Sequence, residues 1–198
     1  MNRKLALAAV LLLLLLIGLS LLFLSSKPSP QSHPVAALPA EQQSARVSMA
    51  ASGETCCEII ANPRLNNQGR VIVAFPEGIN LSNTMVYVYQ PGAAKQAALS
   101  VGSGTFPLAP DTYDVEVQKM RLTGVTVKAG HDTRVKVGVL RITADNSTTY
   151  RILDQTQQHE LAKGYGKSVF GLPVGHYVLR LRQRDEPITI GDGTITEF

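Results

Sequence analysis

Tryptophan is absent from the 198 residues, and only five phenylalanines and six tyrosines occur. With several of those rings needed inside a core, a broad aromatic platform for capturing sugars or peptides is not expected. Cysteine is limited to one adjacent pair, Cys56-Cys57. The histidines His33, His131, His159 and His176 have no second His or Cys at ligand spacing. A zinc site wants three or four convergent ligands, so no metal and no cofactor is expected. No Gly-x-Ser-x-Gly elbow appears, and Gly164-Tyr-Gly166-Lys-Ser168 lacks the glycine gap and strand-loop-helix context of a phosphate loop. Together these absences point to a chain that is not an enzyme.

A concentrated basic face is also missing. The chain holds 19 Lys and Arg against 15 Asp and Glu, but Arg3, Lys4, Lys27 and Arg46 all precede Glu54. From there on the balance is 15 against 14. Nucleic-acid binding needs clustered positive charge in the folded part, so no nucleic-acid partner is expected.

What is present begins with LALAAVLLLLLLIGLSLLFL, twenty uncharged residues at positions 5–24. At about 1.5 Å per helical residue they match a hydrocarbon core of about 30 Å. Arg3 and Lys4 should remain cytoplasmic, placing the remainder in a periplasmic or extracellular space. A signal-anchor over residues 1–24 gives a single-pass membrane protein. The alternative is secretion after cleavage near Gly18-Leu-Ser20. Residues 25–55, with Pro28, Pro30, Pro34 and Pro39 among Ser, Gln and Ala, read as a flexible linker.

Beyond Arg70 the apolar period is two. Val71–Phe75, Met85–Tyr89, Tyr113–Val117, Tyr150–Leu153 and Tyr177–Leu181 alternate or are β-branched, with Gly, Pro and Asp between them. No apolar stripe of helical period occurs, so the fold class is all-β. The halves also align. Phe106-Pro-Leu-Ala-Pro-Asp-Thr-Tyr113 matches Phe170-Gly-Leu-Pro-Val-Gly-His-Tyr177 at a spacing of 64, Val125-Thr-Val matches Ile188-Thr-Ile at 63, and Tyr87 matches Tyr150 at 63. This predicts tandem modules over 56–137 and 138–198. One continuous sandwich with a shared turn grammar remains the alternative.

Leu172-Pro-Val-Gly175-His-Tyr177 resembles the turn of PEGA-like and carboxypeptidase-regulatory-like modules. Leu108-Ala-Pro-Asp111-Thr-Tyr113 departs from it, with Asp in the glycine position. The resemblance spans roughly residues 70–198. It implies prealbumin-like β-sandwich modules serving as spacers, binding domains or parts of surface assemblies, and no reaction.

Two features suggest contacts. In an oxidising compartment Cys56 and Cys57 could stay reduced, bridge two copies or bridge each other. On the strand holding Tyr177, Leu179 and Leu181 inward, Arg180, Arg182 and Arg184 should form an outer row, while Asp114 and Glu116 lie exposed on the matching strand. Those opposite charges either keep the faces soluble or join modules head to tail. The expected role is a binding or scaffolding subunit of an envelope-associated assembly, with a protein partner or self-association. Carbohydrate or peptide binding is the second reading, and a diverged enzyme the third.

Overall fold

A computed structural model describes residues 56–198; the expected anchor at 5–24 and linker at 25–55 lie outside the described residues. The described chain is all-β, with no α-helix. No helix among these residues is long and apolar enough to cross a membrane.

The strands are β1 Cys57–Ala61, β2 Gly69–Val73, β3 Met85–Tyr89, β4 Gln96–Val101, β5 Gly104–Leu108, β6 Asp111–Val117, β7 Met120–Val127 and β8 His131–Val135. They continue as β9 Val137–Ile142, β10 Thr149–Asp154, β11 Glu160–Tyr165, β12 Ser168–Pro173, β13 Gly175–Leu181, β14 Arg184–Ile190 and β15 Ile195–Glu197. Four sheets result, with orders β1-β8-β2-β5, β4-β3-β6-β7, β12-β9-β15 and β11-β10-β13-β14.

The same strand order occurs twice. β2 lies between an antiparallel β5 and a parallel β8, as β9 lies between β12 and β15. Val86 opposes Val117 and Val88 opposes Val115; 64 residues on, Tyr150 opposes Leu181 and Ile152 opposes Leu179. Even the bulge between Val88 and Tyr89 recurs between Ile152 and Leu153. Side-chain contacts recur as well. The Tyr113 hydroxyl donates to the Ala109 carbonyl and the Tyr177 hydroxyl to the Pro173 carbonyl.

One difference explains the step from 64 to 63. Gly124, at φ +77°, adds a residue to β7 and shifts its register against β6. Paired with β13, β14 has no such bulge. Tyr87 precedes that bulge and keeps the spacing of 64: it corresponds to Arg151 and lies on the outer face, whereas Tyr150 is buried in the core. A slip of one residue exchanges the two faces of a strand.

Alternation supplies two apolar clusters. Val71, Val73, Val86, Val88, Phe106, Val115, Val117 and Val135 are among the first. Leu140, Tyr150, Ile152, Phe170, Leu172, Tyr177, Leu179 and Ile190 are among the second. Burying each such side chain contributes about 1.5–3 kcal/mol before the ordering cost is subtracted. β9 serves both: Val137 and Val139 pack into the first cluster, and Leu140 and Ile142 into the second. The halves also meet where Gly171 donates its N–H to the Thr84 hydroxyl at 2.9 Å. A Cβ on Gly171 would lie 2.6 Å from the Phe75 ring, so only glycine admits this approach.

Candidate functional site

The outer face of the β11-β10-β13-β14 sheet carries an open cleft of about 700 Å³. Because Tyr150 and Ile152 point into the core, β10 turns Arg151 outward. β11 sets Lys163 opposite Arg151 and Tyr165 opposite Thr149. β13 contributes Arg180, and Arg182 follows in the turn. Tyr165 is 72% exposed.

The four cations are not equivalent. Arg180 is held by Asp185 through two bonds of 2.6 and 2.7 Å and also donates to Gln157. That pairing holds the Asp185 carboxyl below its usual range and raises the guanidinium. Arg151 reaches Glu160 only at 3.4 Å. Lys163 and Arg182 have no carboxylate partner among the described residues. Below them the buried Tyr150 hydroxyl has no hydrogen-bond partner. It sits beneath Gly164, where a Cβ would come within 2.8 Å of the ring carbon bearing the hydroxyl.

At the end of β10, Asp154 closes the adjoining loop. It accepts from the Thr156 hydroxyl at 2.6 Å and from the backbone N–H groups of Gln158 and His159. Burial pushes its pKa up, but these bonds and the His159 ring outweigh that, leaving the carboxyl below the usual range.

The corresponding face of the first half has a different character. Met85, Tyr87, Leu99, Val101 and Glu116 occupy the places of Thr149, Arg151, Lys163, Tyr165 and Arg180. Leu99 and Val101 are each 52% exposed. Glu116 pairs with Arg121 at 3.0 Å, and the Arg121 guanidinium lies 4.0 Å over the Tyr89 ring.

This corrects the expectation of an exposed acidic strand face. Asp114 and Glu116 do lie opposite the core side chains, yet each is only 6% exposed. Arg121 covers and neutralises Glu116, while Asp114 accepts the Gly124 N–H freed by the β7 bulge. An acidic surface for head-to-tail contact is therefore missing from this strand. The expected arginine row is corrected too. β13 ends at Leu181, Arg182 turns at φ +53°, and Arg184 begins the returning β14, where it pairs with Glu186. The sequence reading placed Tyr150 and Arg151 on a strand but singled out none of Arg151, Lys163, Tyr165 and Tyr150 as site residues.

Cys56 and Cys57 are both free and half-buried, and their sulfurs lie 2.7 Å apart. The hydrogen bond between the two thiols brings Cys56 down to about 7 against the opposing effect of burial, with Lys136 assisting. Cys57 is pushed up by the same bond and by burial. Among the described residues the histidines do not converge: His131 contacts the Ala129 carbonyl, His159 the Asp154 carboxylate and His176 the Thr189 hydroxyl. Among the described residues no three His, Cys, Asp or Glu side chains are grouped to hold a metal ion.

No family model matches the chain, and no curated protein matches it. Among solved structures, the Bacillus anthracis TIE protein is similar at 16% identity and a TM-score of 0.29, covering 66% of this chain. The chain spans 32% of that protein's length. A likeness of this size carries no argument about fold or function.

Proposed function

We propose that this chain is an exported, non-catalytic binding or scaffolding subunit, held at a membrane by residues 5–24. Its folded part is two prealbumin-like β-sandwich modules in tandem, resembling PEGA-like and carboxypeptidase-regulatory-like modules. The single observation that carries the reading is a framework kept in register twice while its outer faces diverge. Strand order, bulge and tyrosine hydrogen bonds recur 64 residues apart, yet Tyr87, Leu99 and Val101 give way to Arg151, Lys163 and Tyr165. Conserving a scaffold while changing one surface is how loops and faces acquire distinct partners.

Membrane fractionation tests the anchored arrangement. The full chain should resist extraction by alkaline carbonate and be recovered in detergent together with a binding partner. Its N-terminal sequence should begin at Met1; a new N-terminus near Ser20 supports secretion instead. A protein recovered wholly in the cytosol overturns both.

Carbohydrate binding is the second reading. One observation favours it: an exposed ring, Tyr165, beside free cations in a cleft.

A further inference from the structure

We infer that the cleft formed by β10, β11 and β13 binds an anionic polysaccharide. This deepens, and rests on, the reading of the chain as a binding module.

Two features converge. Tyr165 offers an apolar ring, 72% exposed, on which a sugar face can stack. Lys163 and Arg182 supply positive charge that no carboxylate among the described residues neutralises. Arg180, already fixed by Asp185 and Gln157, holds its side of the cleft in place without needing to be released.

The arrangement also selects among polyanions. A single-stranded nucleic acid stacks successive bases on successive rings, and this cleft offers one exposed ring. A lipid surface is met by cations projecting from a flat or convex face, whereas here Arg151, Lys163 and Arg182 border a concavity. A sugar chain bearing carboxylate or sulfate groups needs one stacking surface and separated cations. In the first half the equivalent places hold Tyr87, Leu99 and Val101, so the chemistry belongs to the second half alone.

Affinity electrophoresis and titration calorimetry on the full chain in detergent test this, with polygalacturonate and dextran sulfate as probes and neutral dextran as control. Both polyanions should retard the protein, and neutral dextran should not. Lys163→Gln with Arg182→Gln should weaken binding about tenfold and lower its salt dependence, since fewer counterions are exchanged. Tyr165→Ala should weaken it about fivefold with the salt dependence kept, and Tyr165→Phe should restore it. Unchanged circular dichroism and melting midpoints show that the variants remain folded. The assignment is overturned if neither polyanion binds, or if the variants bind like the wild type. Tighter, variant-sensitive binding to oligo-dT or to phosphatidylglycerol micelles overturns it equally. Loss of polysaccharide binding in a chain that still fractionates with membranes removes the ligand and leaves the exported module standing.

Discussion

At one pair of matched positions the two halves hold ion pairs of opposite sense. In the first, Glu116 on β6 meets Arg121 on β7; 64 residues on, Arg180 on β13 meets Asp185 on β14. Polarity is reversed and so is environment. The first pair is 8–10% exposed at its side chains and capped by Tyr89, while the second is 35–36% exposed. Matching strand pairing thus yields an internal strut in one case and a surface fixture beside a cleft in the other. What decides is the neighbouring strand: Tyr89 covers the first pair, and the matching residue in the second half is Leu153.

The largest expected effect breaks that comparison directly. Arg121→Ala leaves Glu116 buried without its counter-charge and should cost about 3–5 kcal/mol in urea unfolding. Asp185→Ala, at the matched position, should leave the midpoint nearly unchanged, because solvent screens what remains. Equal losses at both sites would show that burial is not what separates the pairs.

Next in size is the junction. Gly171→Val forces a side chain against Phe75 and Thr84, and overpacking of this kind should cost about 1–3 kcal/mol. Calorimetry should show one transition splitting into two. A single sharp transition with an unchanged midpoint would mean that the contact tolerates a wedge.

The two tyrosine hydroxyls sharpen the comparison further. Tyr177→Phe removes a buried 2.7 Å bond and Tyr113→Phe a half-buried 3.1 Å one. Losses of about 1 kcal/mol are expected, with Tyr177 the larger. Unfolding of the single variants would expose the reverse order.

The smallest effect is acid sensitivity. Asp154 has a folded pKa below the ordinary 3.8, so its contribution is intact above that value and lost as pH falls through the folded value. Asp154→Asn should therefore be less stable than the wild type at pH 7, with the gap closing as pH falls below 3.8. A gap that widens on acidification contradicts this. Its counterpart in the first half is Gln90, which does not titrate.

How far the sequence spoke follows from the same contrast between faces. β2, β3, β6, β10 and β13 were legible because large apolar residues point inward and polar or half-exposed ones outward. β4 and β11 were not. Their inward places hold Ala98, Ser100, Ala162 and Gly164, while Leu99, Val101 and Tyr165 face out. The usual alternation is inverted in size, so period two gave no signal. Gly164 is small because the Tyr150 ring fills the space beneath it, a long-range fact that no local window contains. The candidate site was hidden for the same reason, since two of its members lie on β11. The side of the strand holding Asp114 and Glu116 was legible; their burial was not, because it depends on a bulge at Gly124 and a cation from the next strand.

The doubly packed β9 has a mechanical consequence. It acts as a party wall: remove the residues on one side and the neighbour loses part of its own enclosure. Cutting the gene between codons 137 and 138 would strip Val139 from the upstream piece and leave it naked on the downstream one. Pulling on either end should accordingly load both halves together, as in stacked repeats joined by a common interface, instead of bending at a loose joint. Whatever the basic cleft grips would then be held at a fixed attitude to the apolar face bearing Leu99 and Val101.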